Sequence, residues 1–190
     1  MGKLEGKTVI ITGAGTGIGK GIARSFTDEG ATVVAASRNK ANLESVAKEL
    51  RVRGANVVVE PTDVTDEEQV TGLFKRTVAK FGSLDILVNN SGVLDGGPLD
   101  ELALETWKKV IDVNLTGVFL CTREAMKIMK SQERGRIINI GSAAGLRPRV
   151  NSAAYATSKS GLVGLTTVTA LEGRAFGISA SCIHPGNVAI

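Results

Sequence analysis

Apolar residues arrive along this chain in two rhythms. Short runs, KTVIIT at 7–12, TVVAAS at 32–37, NVVVEP at 56–61, LDILVNN at 84–90, RIINIGS at 136–142 and ISASCIH at 178–184, read as strands, several of them apolar on both faces. Strands of a parallel sheet covered by helices on each side need that pattern. Between the runs the spacing becomes helical: Ile18, Ile22 and Phe26 fall at i, i+4 and i+8, and Val70, Leu73, Phe74, Val78 and Phe81 trace a similar stripe. Gly30, Gly54, Gly82, Gly135 and Gly177 each precede the next run by one to three residues, where helix ends and turns use glycine. Strand-helix alternation repeated in this way predicts an α/β fold, a three-layer, doubly wound parallel sheet with six strands. Ligands of such sheets bind beyond the carboxyl ends of the strands, where the strand order reverses.

The longest helical stretch, about 100–132, carries Trp107, Val110, Ile111, Leu115, Val118, Phe119, Met126 and Met129. Most of this stripe is expected in the core. Its surplus apolar face, and the Ala/Gly/Thr-rich helix at 152–175, suit contact with a second subunit.

Composition narrows the class. At 190 residues, 43% hydrophobic and 22% charged, the chain has the make-up of one globular domain spanning 1–190. No stretch approaches the roughly 20 apolar residues of a membrane span, and the N-terminus runs into a strand without a secretory apolar core, so the expectation is no membrane and a cytoplasmic location. The net charge of +4 is spread over many helices, and with aromatics at 4% nothing suggests a nucleic-acid surface. Cys121 and Cys182 stand alone in apolar segments and are expected as buried free thiols. The single histidine, His184, leaves no multi-histidine metal site, so no metal is expected.

The segment TGAGTGIGKGIA follows the first strand. Gly13, Gly17 and Gly19 give a G-x-x-x-G-x-G spacing rather than G-x-G-x-x-G. Glycines still allow a tight turn and close approach of a pyrophosphate, while Thr16 and Gly17 lead into a helix opening at Ile18 whose free N–H groups favour an anion. Dinucleotide preference is set about 20 residues further on, where a carboxylate would bond a ribose 2′-hydroxyl. Here the residues are Ala36, Ser37, Arg38 and Asn39. Arg38 offers a planar cation suited to a 2′-phosphate, which predicts NADP(H) over NAD(H).

Near the other end, Tyr155 is the only tyrosine, with Lys159 four residues after it and Ser142 thirteen before. On a helix, residues four apart share a face. A phenol normally titrates near pH 10, and a neighbouring ammonium favours its ionised form, so the pair is a candidate for moving a proton.

Assembled, these residues resemble the short-chain dehydrogenase/reductase family, including its 3-oxoacyl reductases. The likeness rests on TGAGTGIG at 12–19, Asp63–Val64, NNSG at 89–92, Asn114 in DVNLTG, Ser142, YATSK at 155–159 and HPGNV at 184–188. It implies a Rossmann fold and hydride transfer between NADP(H) and a carbonyl or secondary alcohol, with a non-catalytic NADP(H)-binding regulatory module as the alternative. In that family's terms Asp63 and Val64 contact adenine, Asn90 and Gly92 flank the cofactor, and Pro185, Gly186 and Val188 border the nicotinamide. Ser142 bonds the substrate oxygen and Tyr155 exchanges the proton. Lys159 bonds the nicotinamide ribose and lowers the tyrosine's pKa, and Asn114 holds a relay water. A homodimer or homotetramer through 100–130 and 152–175 is implied as well. Two departures stand out: Ser91 replaces the usual alanine, and Ile190 replaces a common threonine at a point where the family typically continues into a seventh strand and a substrate loop.

Overall fold

The computed structural model describes residues 2–186. Six parallel strands, β1 (Thr8–Thr12), β2 (Thr32–Ser37), β3 (Val57–Pro61), β4 (Ile86–Asn89), β5 (Gly135–Ile140) and β6 (Ile178–Ile183), form one sheet in the order β3-β2-β1-β4-β5-β6. The chain walks outward from β1 to β3, then returns to place β4 on the other side of β1. The order therefore reverses between β1 and β4, and a crevice opens above their carboxyl ends. Ile10 sits between Val34 and Leu87 in this register.

The described residues form six α-helices, α1 (Gly17–Asp28), α2 (Lys40–Val52), α3 (Glu67–Phe81), α4 (Leu104–Ile111), α5 (Gly117–Gln132) and α6 (Ala153–Gly173), of which α4 packs on α6 and the others flank the sheet. Alternation along β1 explains why its run is apolar throughout. Val9 and Ile11 join a cluster with Leu43, Val46 and Leu50 of α2, whereas Ile10 joins Leu73 and Phe74 of α3 and Met129 of α5 on the opposite face. Each large apolar side chain so enclosed contributes roughly 1.5–3 kcal/mol.

Helix ends follow the local chemistry. Asp66 accepts hydrogen bonds from the N–H groups of Glu68 and Gln69, both at 3.0 Å, and starts α3; Gly82 at φ 78° ends it. Asn39 caps α2 through Asn42 N at 3.0 Å. In contrast α1 has no side-chain cap. Its first N–H groups are left for another partner.

Two helix ends differ from the sequence expectation. Gly135 is not a cap: it opens β5, pressed on the Met129 side chain, and Glu133 takes the left-handed position at φ 53° instead. The stretch expected as one helix over 100–132 begins at Leu104 and contains a π-helical turn, Asp112–Thr116, between α4 and α5. Such a turn widens the helix and redirects the side chains it carries. Asn114 is one of them. No helix among the described residues is long and apolar enough to cross a membrane.

Candidate active site

The first part of the crevice is built from backbone. Gly13 and Gly17 hold φ of 65° and 51°, in the left-handed region that a side chain disfavours. Gly19 is buried in the first turn of α1, and a Cβ there would collide with the Gly13 carbonyl oxygen. These constraints fold the turn tightly onto α1 and leave the N–H groups at Gly17, Ile18 and Gly19, next to exposed Thr16, at the positive end of the helix. A pyrophosphate fits this cradle.

Asn90 locks the turn in place. Its Nδ2 donates to the carbonyls of Thr12 and Gly13, both at 3.1 Å, while Thr12 Oγ1 accepts from the N–H groups of Asn90 and Ser91, both at 3.0 Å. Asn90 thus braces the glycine turn from across the sheet. A cleft beside the turn is lined by Gly13, Ser37, Arg38, Thr62, Asp63, Val64 and Gly92. Within it, Asp63 Oδ1 accepts from Thr65 N at 2.9 Å and Thr65 Oγ1 at 2.8 Å, leaving its second oxygen for another donor. Val64 is buried against Gly117, where an added Cβ would approach Val64 Cγ2 to 2.8 Å. Arg38 is exposed on the cleft wall, and none of the ion pairs among the described residues involves it.

The second part is built from side chains. Asn114, fully enclosed, clasps the chain just after β4: its Oδ1 accepts from Val93 N at 2.8 Å, and its Nδ2 donates to Val93 O at 2.9 Å and to Ser158 Oγ at 3.2 Å. Ser158 Oγ donates in turn to Tyr155 O at 2.7 Å. Lys159, one turn along α6, sends Nζ to the Ile140 carbonyl at 2.8 Å and lies 5.7 Å from the centroid of the Tyr155 ring. A methyl group placed on Gly92 would lie 3.4 Å from Asn114 Oδ1 and 3.7 Å from Lys159 Nζ, so three elements converge at one point.

Ser142 caps a short 3-10 turn, Ala143–Gly145, accepting from Ala144 N at 3.2 Å. That bond uses a lone pair, and the hydroxyl hydrogen remains to be donated. The turn is held on α6 by Ser160 Oγ, which donates to Gly145 O at 2.6 Å, and beside β6 by Ala143 N, which donates to Pro185 O at 3.0 Å. His184 Nδ1 lies 3.1 Å from Ser142 O, and Gly186 is exposed beyond it. Burial pushes the Lys159 ammonium down to about 8, with the Cys182 thiol opposing that shift. The same enclosure raises Cys182.

The predicted residues thus fall into two groups on one crevice. Gly13, Thr16, Gly17, Ile18, Gly19, Ser37, Arg38, Asp63 and Val64 lie on the β1–β3 side, and Asn90 and Gly92 follow β4 in the middle. Asn114, Ser142, Tyr155, Lys159, Pro185 and Gly186 lie on the β4–β6 side. Val188 and Ile190 fall outside the described residues. Sequence reading missed Thr12 and Ser158, and it missed a polar ladder in the core. In that ladder Asn89 Nδ2 donates to Thr122 Oγ1 at 3.1 Å and to Asn139 Oδ1 at 2.9 Å, and Asn139 Nδ2 donates to Thr166 Oγ1 at 2.8 Å. An asparagine inside each of the apolar runs LVNN and RIINI was the available signal. Cys182, expected inside the core, is only partly enclosed.

Comparison with known proteins supplies the family. The family described as short chain dehydrogenase matches residues 7–189. A 3-oxoacyl-acyl-carrier-protein reductase of Thermotoga maritima is 38% identical over 97% of this chain and 75% of its own length. A 2,3-dihydro-2,3-dihydroxybenzoate dehydrogenase of Bacillus subtilis is 37% identical over 97% of this chain and 70% of its own. The crystal structure of an NAD+-bound xylitol dehydrogenase superimposes with a TM-score of 0.94 at 34% identity, covering 97% of this chain and 71% of that one. With its sheet order, its glycine turn and this extent of likeness, the chain belongs to the short-chain dehydrogenase family of NAD(P)-dependent oxidoreductases.

Proposed function

We propose that this protein transfers hydride between NADP(H) and a ketone or secondary alcohol, with Tyr155 as acid and base. The observation carrying the reading is the meeting of Asn114 Oδ1 and Lys159 Nζ within 4 Å of one point at Gly92, with Tyr155 one turn from Lys159. Bound nicotinamide supplies the hydride. In reduction, Ser142 donates its free hydroxyl hydrogen to the carbonyl oxygen, and Tyr155 delivers a proton there as negative charge develops. Lys159 supplies the positive charge that compensates the phenolate left behind. In oxidation Tyr155 removes the proton and the same groups run in reverse. Asn114 holds Val93 and Ser158, and through them the spacing between the segment after β4 and α6. Asn114 Oδ1 accepts one hydrogen bond and keeps a second lone pair for a relay water shared with Lys159.

Arg38 supports NADP(H): it faces the cleft without an ion pair, and no carboxylate stands beside it at the end of β2. The intact protein, given NADPH or NADH and a panel of ketones, should turn over with NADPH preferred. Arg38→Asp should reverse the preference by at least about tenfold through loss of a charge-assisted bond. Equal use of both cofactors by wild type and variant would refute the Arg38 assignment.

The same reading includes a homodimer or homotetramer through α5 and α6. Phe119, Leu165 and Val168 line a groove between these helices, with Arg123, Lys127 and Lys130 on α5 and Glu172 on α6. A second copy on this groove would remove its apolar side chains from water. Light scattering should show more than one copy per particle, and Val168→Glu should reduce it; a monomeric wild type sinks this part.

A further inference from the structure

Resting on the reductase reading, the rim of the crevice carries a specificity of its own. Two loops, 93–101 after β4 and 146–152 before α6, touch where a Cβ on Gly96 would collide with the Asn151 carbonyl oxygen. Asn151 itself holds a left-handed φ of 60°. Four large apolar side chains on these loops stand in water: Leu94 at 77%, Leu99 at 75%, Leu146 at 62% and Val150 at 89% exposure. Scattered exposed apolar residues need no explanation, but four on two touching loops above one crevice are a surface waiting for cover.

Arg147 and Arg149 stand between Leu146 and Val150, both exposed, and neither belongs to any ion pair among the described residues. Their segment is tied to the reaction groups at both ends. Arg147 N donates to Ala143 O at 2.8 Å, beside Ser142. Arg149 N donates to Ser152 Oγ at 3.3 Å, and Ser152 Oγ donates to Arg149 O at 2.6 Å, three residues before Tyr155. Pro148 between them fixes its own φ, and Arg147 sits in a bend closed by its bond to Ala143, so the two guanidinium groups are displayed from a short stiff segment. On the facing loop Asp95 is already held by Lys109 at 2.9 Å, while Asp100 and Glu101 sit in the turn leading to α4.

We propose that the site takes an oxo or hydroxy compound with an apolar stretch and an anionic far end, a carboxylate or phosphate, which Arg147 and Arg149 pair. The apolar stretch removes Leu94, Leu99, Leu146 and Val150 from water, and each planar guanidinium fork donates to two anionic oxygens at once. The reaction is the one proposed above; the rim selects what reaches it.

The test uses the intact enzyme with NADPH and three medium-chain ketones identical except at the far end: a carboxylate, a phosphate and the neutral methyl ester. Wild type should favour an anionic member in kcat/KM by about ten- to a hundredfold, the size of a charge-assisted bond. Comparison of the carboxylate and phosphate arms identifies the anion. Arg147→Gln/Arg149→Gln should bring the anionic-to-neutral ratio to within about twofold, through KM rather than kcat, and added salt should shrink it in wild type. A neutral ester used as well as the anions, or a preference surviving in the double variant, overturns the proposal. If none of the three reacts but other ketones do, the rim assignment is wrong. If no ketone reacts at all, the reductase reading fails and takes the rim with it.

Discussion

The two sides of the crevice are made of different material. On the β1–β3 side, the turn from Gly13 to Gly19 presents backbone N–H groups, and its shape depends on residues that lack side chains. On the β4–β6 side, Asn114, Ser142, Tyr155 and Lys159 come from a π turn, a 3-10 turn and a long helix, held by hydrogen bonds between side chains and main chain. A backbone cradle recognises what every dinucleotide shares, the pyrophosphate. A side-chain centre does chemistry. The contrast teaches that substitutions on one side should alter binding, and on the other turnover.

The largest effect should come from Tyr155→Phe, which removes the proposed proton donor and leaves the cradle intact. Single-turnover rates should fall by about 10²–10⁴-fold, while NADPH affinity by fluorescence titration stays within about twofold. A parallel loss of affinity would break the division. Asn114→Ala should cost about 2–4 kcal/mol in urea unfolding, because it strands the N–H and C=O of Val93. An unchanged midpoint would mean that Val93 finds other partners.

Gly19→Val is the mirror test. The added carbons meet Gly13 O and Asn90, so NADPH affinity should drop by about ten- to a hundredfold, the overpacking of one tight contact. Unaltered affinity would show that the cradle does not hold the cofactor.

The smallest effect should be a change in pH dependence. Folding lowers the Lys159 pKa to about 8 from 10.5. Between those values the unfolded chain binds more protons at this amine, so the amine's contribution to the stability of the cofactor-free protein rises with pH through that window, while the Cys121 and Cys182 thiols, raised by burial, contribute the opposite slope above pH 9. Lys159→Met should abolish this rise and gain up to about 3 kcal/mol at neutral pH, where the wild-type amine is charged and enclosed. Parallel wild-type and Lys159→Met profiles from pH 8 to 10.5 would contradict the enclosure of the amine.

The same division explains what could be read from the residues alone. Strand positions were legible because Val9, Ile10 and Ile11 must be apolar on both faces of a covered sheet, and the glycine turn because its backbone shape excludes side chains. The Tyr155–Lys159 pair was legible because it lies within one helix. Asn114 as a clasp on Val93 was not, since its partner lies 21 residues away and the π turn that aims it leaves no periodic mark. Asn90 shows the same limit: its motif pointed to the cofactor, whereas its hydrogen bonds run to Thr12 and Gly13 across the sheet. Glu133 in a left-handed cap is imposed by the chain turning into β5, where neighbouring Gly135 suggested itself instead.

The most direct measurement is a crystal structure of the intact protein with NADP(H) bound. The account predicts the pyrophosphate on the N–H groups of Gly17, Ile18 and Gly19, the 2′-phosphate at Arg38, and the nicotinamide ring within reach of Tyr155 and Ser142, with Lys159 Nζ turned from Ile140 O toward the ribose. A dinucleotide lying elsewhere, or a nicotinamide remote from Tyr155, would contradict it.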